Sequence, residues 1–191
     1  MMGFWKFGIA LVAVGLGGCQ TPGVADYTPS RDTLSYLQQL DGTRVSVGSF
    51  GNTPASLADA TDTGLFSACS LKVDGGPAWT GPSDYIRGAM IEELTVGGLY
   101  AAQDAPVIDG AIETLSFTRD PVFGGAWDIA VVLTGAGGAQ FRHENTYKFD
   151  VGALGGPTVC RRAIDAFQPA IVEFWESAAR SPQFRAFLKS Q

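Results

Sequence analysis

In Phe141-Arg142-His143-Glu144-Asn145-Thr146-Tyr147-Lys148-Phe149-Asp150-Val151 two kinds of side chain alternate without a break. Phe141, His143, Asn145, Tyr147, Phe149 and Val151 share one side, and Arg142, Glu144, Thr146, Lys148 and Asp150 share the other. A period of two belongs to a β-strand. One face carries most of the rings and the other the charges, so the strand belongs to a sheet covered on one side and largely wet on the other.

Working back along the chain, Trp127, Ile129, Val131 and Leu133 repeat the pattern, opposite a mixed face of Ala126, Asp128, Ala130, Val132 and Thr134. Gly135-Ala136-Gly137-Gly138 is the turn between these two strands, which makes them antiparallel neighbours. Val107 to Arg119 completes a three-strand antiparallel run. It is long for one strand and its core phase changes between Ile112 and Leu115, which predicts a bulge near Gly110 to Thr114. Val45, Val47 and Phe50 mark an earlier strand over Arg44 to Phe50, and Leu65 to Val73 reads as another that carries Cys69 on its Leu71 and Val73 side.

The helices that cover the sheet have their own period. Gly81-Pro82 opens one whose apolar stripe is Ile86, Ala89, Met90 and Leu94, stopped by Gly97-Gly98. Pro157 opens the other, with Cys160, Ala163, Ile164, Phe167, Ile171, Phe174 and Ala178 on one stripe and a kink expected at Pro169. Ser30 caps a short helix from Arg31 to Leu40, and Ser181-Pro182 starts a last one carrying Phe184, Phe187 and Leu188. The expected fold is therefore α+β: a single domain, mostly antiparallel sheet covered on one face by two main helices.

Chemistry-bearing patterns are sparse. Glu92-Glu93 lie about 100° apart on a helix, so they do not share a site, and a solvated helical face is the better reading. His143 falls in the apolar register, where a hydrogen-bonded structural histidine outweighs a general base. No second histidine accompanies it, no C-x-x-C occurs, and neither G-x-S-x-G nor H-E-x-x-H is present, so no metal and no cofactor is expected. The glycines at 135, 137 and 138 join two strands and no G-K-[ST] follows, which removes a phosphate cradle. Residues 51–64 carry Asp59 and Asp62 but lack the spacing of a calcium loop. Asp109, Glu113 and Asp128 are the carboxylates left for a hydrolase, the least favoured reading. Tyr85, Arg87 and Trp127 each have a packing or surface explanation at least as good as a functional one.

The 191 residues have a formal charge of −6, with no Lys/Arg run to meet nucleic acid or an anionic bilayer. Attachment to a membrane must then come from elsewhere, and the N-terminus supplies a candidate. Lys6 precedes an apolar run from Phe7 to Leu16, the length of a signal h-region and short of the ~20 residues a spanning helix needs. Leu16-Gly17-Gly18-Cys19 resembles the lipobox of bacterial lipoproteins. That resemblance implies cleavage before Cys19, acylation of Cys19 and, because Gln20 follows where an aspartate would signal retention, the outer membrane facing the periplasm. Residues 1–18 are then the signal, 19–30 a flexible tether with two prolines and a glycine, and 31–191 the periplasmic domain. The mature 173 residues suit one domain with a real core.

Cys69 and Cys160 remain. In an oxidising periplasm a disulfide between them would staple the C-terminal helix to the sheet, and closing a loop of 91 residues would stabilise the fold by about 4 kcal/mol. Two buried free thiols are the alternative.

The order of lipobox, strands, Tyr85-Ile86-Arg87 to Glu93-Leu94, Gly97-Gly98-Leu99-Tyr100, the Trp127 strand, Tyr147-Lys148-Phe149, Cys160 and Pro169-Ala170 resembles a group of uncharacterised Gram-negative lipoproteins. At fold level it also looks like the auxiliary lipoproteins of envelope lipid transporters and the N-terminal domain of the TolB type. These resemblances imply a non-enzymatic lipoprotein that binds an envelope protein or self-associates. The alternative is a transport auxiliary with an acyl-sized apolar groove between helices and sheet.

Overall fold

The computed structural model describes residues 24–40, 42–52, 81–120, 124–151 and 156–191. In chain order they form α1 (Arg31–Leu37), β1 (Ser46–Asn52), α2 (Pro82–Val96), β2 (Val107–Asp120), β3 (Gly124–Thr134), a 3₁₀ turn (Ala136–Gly138), β4 (Gln140–Phe149), α3 (Gly156–Arg180) and α4 (Pro182–Lys189). The chain is a mixed α+β domain, as its patterning predicts. Cys19, Cys69, the signal over 1–18 and the strand expected over 65–73 lie outside the described residues, as does the 51–64 loop beyond Asn52.

The four strands lie side by side in chain order. β1 runs parallel to β2, and the β2/β3 and β3/β4 pairs are antiparallel. Trp127 stands opposite Phe117 on one side and Tyr147 on the other. The expected bulge falls between Ile112 and Thr114, where the register against β3 shifts. It returns Leu115 to the covered face that Ile112 also occupies, which resolves the phase change in the sequence. Close approach explains one glycine: a Cβ on Gly110 would stand 2.6 Å from the Phe50 ring.

α2 and α3 cover one face. Ile86, Ala89 and Met90 of α2 and Ala163, Phe167, Ile171 and Phe174 of α3 are at most 1% exposed. Trp127, fully buried, pins sheet to helix: its Nε1–H donates to the Ala163 carbonyl at 3.0 Å, and its ring lies 5.0 Å from that of Phe167 and 5.7 Å from that of Phe117. Phe167 in turn meets Tyr85 at 5.3 Å, so one aromatic chain joins sheet, α3 and α2. The opposite face is wet. Arg142 bridges Glu113 and Glu144 at 2.7 Å each with about half its side chain in water, an arrangement that adds little stability.

At Pro169 α3 continues as one helix. Pro169 cannot bond the Asp165 carbonyl, but Asp165 is on the exposed side, where water can serve that oxygen. One local expectation changes. The tether expected over 19–30 is, from Val24 onward, a docked strap. Val24 is 6% exposed within the core, Tyr85 Oη donates to the Ala25 carbonyl at 2.9 Å, and Tyr27 packs on Tyr85 with ring centres 6.3 Å apart. Two apolar side chains among polar ones suffice to hold it, because each enters a prepared site. No helix among the described residues is long and apolar enough to cross a membrane.

Candidate functional site

Among the described residues the one buried acid is Glu93. It stands four residues after Ala89 and three after Met90, so helix geometry places it on the apolar stripe of α2. It is 3% exposed, whereas Glu92 points to solvent. The solvated-face reading holds for Glu92 and fails for Glu93, because the docked strap and α1 lie over this part of α2. The strap also supplies the partners. Tyr27 Oη donates to Glu93 Oε1 at 2.5 Å and the Ser30 N–H donates to the same oxygen at 3.1 Å. Ser30 has a second task as the N-cap of α1, its hydroxyl accepting from the Asp32 N–H at 3.1 Å.

Burial pushes the Glu93 carboxyl above its ordinary range, opposed by the Tyr27 and Ser30 bonds and assisted by the charge of Glu176. The Tyr27 phenol is pushed up by burial first and then by Glu93. Tyr85 is raised by burial and by Asp26. Glu93 Oε2 and Thr33 Oγ1 are buried without a hydrogen-bond partner.

Beside this cluster runs an open groove of about 840 Å³ between the strap and α3, walled by Pro29, Ser30, Asn145, Glu173, Glu176 and Arg180 among others. Its two acids are already engaged. Glu176 pairs with Arg180 at 2.5 Å and accepts from Ser30 Oγ at 3.2 Å, and Glu173 accepts from Asn145 Nδ2 at 3.3 Å. Glu93 is not part of its wall, so the carboxyl with the most altered acidity does not reach a substrate there.

The carboxylates singled out in the sequence each have a partner of their own. Asp109 accepts from the Ser49 N–H at 2.8 Å and Ser49 Oγ at 3.1 Å, Glu113 pairs with Arg142, and Asp128 accepts from Thr146 Oγ1 at 2.7 Å. In register, Asp109 faces Thr134 while Asp128 is six residues back on the same strand, about 20 Å away at ~3.3 Å per residue. Acid–base carboxylate pairs work at roughly 5–10 Å. A shallow hollow of about 500 Å³ near Asp128, with Thr114, Glu144 and Thr146, opens on the wet sheet face.

His143 is structural by its contacts. Its ring stacks on Phe141 at 5.9 Å and meets the edge of Phe174 at 5.1 Å, and burial pushes its pKa down. Nε2 lies 2.6 Å from Ser177 Oγ, but that hydroxyl donates to the Phe174 carbonyl at 3.0 Å. The hydroxyl is thus shared between the ring and the carbonyl of its own helix, a contact that ties β4 to α3. Arg87 donates to the carbonyls of Gly48 and, at 3.1 Å, Val47, tying α2 to β1.

Among the described residues no three His, Cys, Asp or Glu side chains gather as metal ligands. Cys160 sits partly buried against the core near the start of α3. Tyr85, Ile86, Trp127, Ile129 and Phe167 fill the interface between helices and sheet.

The fold has a solved counterpart. A Xanthomonas campestris protein, whose crystal structure is described with the family model DUF330, aligns over 89% of this chain and 97% of its own at 14% identity and a TM-score of 0.52. At that identity the likeness is one of fold. A second solved structure, described only as an uncharacterized protein, aligns at 8% identity over 72% of this chain and 86% of its own, with a TM-score of 0.31, and carries no argument. No family model and no curated protein matches the chain.

Sequence reasoning passes over Glu93 and Tyr27. A signal for each exists: an acid on an apolar helical stripe, and a lone aromatic in an otherwise polar tether. Neither is decisive until the strap is seen to cross α2.

Proposed function

We propose that the chain is a lipoprotein anchored through Cys19 in the outer membrane, facing the periplasm, that acts by binding or assembling with envelope proteins instead of by catalysis. The observation that carries this reading is what its candidate catalytic groups are doing. Asp109, Glu113, Asp128 and His143 are each held by a structural partner, and the buried Glu93 is spent on fastening the strap that leads back toward Cys19. A surface free of such duties is the one on which a partner protein acts.

The anchor is tested by mass spectrometry of the N-terminal peptide from envelope fractions. The expected product begins at an acylated Cys19, and Cys19→Ala leaves the protein soluble in the periplasm; an unmodified Cys19 in a soluble chain refutes the anchor. The binding role is tested by crosslinking the acylated protein in cells. Adducts to transporter components would select the transport-auxiliary alternative, and adducts to itself or to other outer-membrane proteins an assembly role. Turnover of a hydrolase substrate that is lost on neutralising Asp128 would sink the non-enzymatic reading.

We propose as well that Cys69 and Cys160 are joined. Its support is the position of Cys160 at the head of the helix that covers the sheet. A non-reducing digest should contain the joined peptides, and two separately alkylated thiols in the native protein would exclude the bond.

A further inference from the structure

Two buried polar atoms without partners face each other's helices: Glu93 Oε2 on α2 and Thr33 Oγ1 on α1. They are neighbours, since the Thr33 hydroxyl comes close enough to act on the Glu93 carboxyl, an influence that by itself lowers its pKa and that burial outweighs. One helical turn further along both helices, Leu37 lies so close to Gly97 that a Cβ there would stand 2.9 Å from the Leu37 Cβ. Orphaned buried polar groups are uncommon in folded proteins, and two together call for a hydrogen between them.

An ionised Glu93 would be a full charge out of water with no cation against it among the described residues. From the strap it is faced by Tyr27, with Asp26 beyond at Tyr85; α2 itself contributes Tyr85. α3 contributes Glu176, an acid, whose ion pair with Arg180 is already made, and Arg180 is further tied to Tyr36 of α1. Either form can close these bonds, the Thr33 hydroxyl donating to an ionised Oε2 or an Oε2–H donating to Thr33 Oγ1; what favours the neutral form is a carboxyl only 3% exposed with the acid Glu176 beside it. In that form Oε1 is the carbonyl that accepts from Tyr27 and Ser30.

We propose that Glu93 carries a proton when the strap is docked, and that this proton is a latch: the neutral carboxyl fastens residues 24–30 to α1 and α2, and its loss releases them. The sign follows from the direction in which burial moves the group. Glu93 docked is raised above the ordinary 4.5, so its contribution is fully present below 4.5 and is lost as pH rises through the docked value.

One consequence rests on the anchor reading above. If Cys19 is held in lipid, docked Val24 is only five positions along the chain from it, a reach of at most about 18 Å at ~3.5 Å per residue. With the strap free the leash runs twelve residues to Arg31, about 42 Å. The latch then sets how far the domain, and any partner surface on it, stands from the bilayer.

The test uses the mature chain with ¹³C-labelled glutamate, followed from about pH 4.5 to about pH 8, with hydrogen–deuterium exchange of the strap amides corrected for intrinsic rates. The expected result is a Glu93 carboxyl that titrates above the exposed glutamates, and strap protection that falls about tenfold, the 1.4 kcal/mol step of a factor of ten, through that same midpoint. Glu93→Gln can donate to Thr33 and accept from Tyr27 and Ser30, so it should keep the strap protected at every pH. The latch is overturned if Glu93 titrates at or below the ordinary glutamate value of 4.5, if strap protection ignores its midpoint, or if folded E93Q frees the strap at low pH. Should E93Q not fold, the two wild-type readouts decide alone. A chain that titrates as stated but lacks acyl groups on Cys19 sinks the anchor reading and leaves the latch standing.

Discussion

Replacing Trp127 by Phe removes the pin between sheet and helix while keeping an aromatic ring in place. The indole is fully buried, and its Nε1–H donates to the Ala163 carbonyl at 3.0 Å. Losing that bond costs about 1 kcal/mol; the carbonyl is in a helix interior and is not left orphaned, which keeps the figure from rising further. The smaller ring leaves a void of roughly 40 Å³, worth about 1 kcal/mol at ~24 cal/mol per Å³. The sum is about 2 kcal/mol. With a urea m-value of roughly 2 kcal/mol/M for a domain of this size, the unfolding midpoint followed by far-UV circular dichroism should fall by about 1 M, and Tm by about 4–8 °C. A fall under about 0.2 M with m unchanged would refute the reasoning, since it would mean that Trp127 packs loosely or that its bond to Ala163 is not formed.

Gly97→Ala would ordinarily stabilise, because Gly97 has a right-handed helical φ of −69° and alanine lowers the entropy of the unfolded chain. Here the new Cβ would stand 2.9 Å from that of Leu37, so we expect a loss of about 1–2 kcal/mol in chemical denaturation; a gain would show that α1 yields freely. Arg87→Met should cost about 2 kcal/mol through the lost charge-assisted bonds to the Gly48 and Val47 carbonyls, seen in calorimetry, and an unchanged Tm would place that guanidinium in water. His143 should titrate below 6.5 by ring proton chemical shifts, because burial disfavours its charged form. Its contribution to stability is present above 6.5 and is lost as pH falls through the lowered value, so a His143 midpoint above 6.5 would contradict its burial.

Much of the architecture is legible in single segments. The two-residue alternation of Trp127–Leu133 and Phe141–Phe149 placed each side chain on its face before any partner strand was known, and the bulge in β2 was visible as a phase change between Ile112 and Leu115. The helix starts at Ser30 and Ser181 followed from capping chemistry, and both hydroxyls accept the expected N–H groups. These features depend on neighbours a few residues away, so the residues carry their own instructions.

The site is another matter. Glu93 was read as solvated because an acid beside another acid on a helix usually is, and residues 19–30 were read as a tether because they are polar and carry two prolines. Each reading is sound for its segment in isolation, and each fails beyond Val24 because the other segment is there. Tyr27 and Ser30 reach Glu93 across 66 and 63 residues of chain. The sequence by itself determined the strands, the helices, their buried faces and a lipobox-like N-terminus, since those rest on local periodicity and short motifs. Only the tertiary structure decided which carboxyl leaves water, because desolvation is a property of what packs over a group and not of the residues beside it.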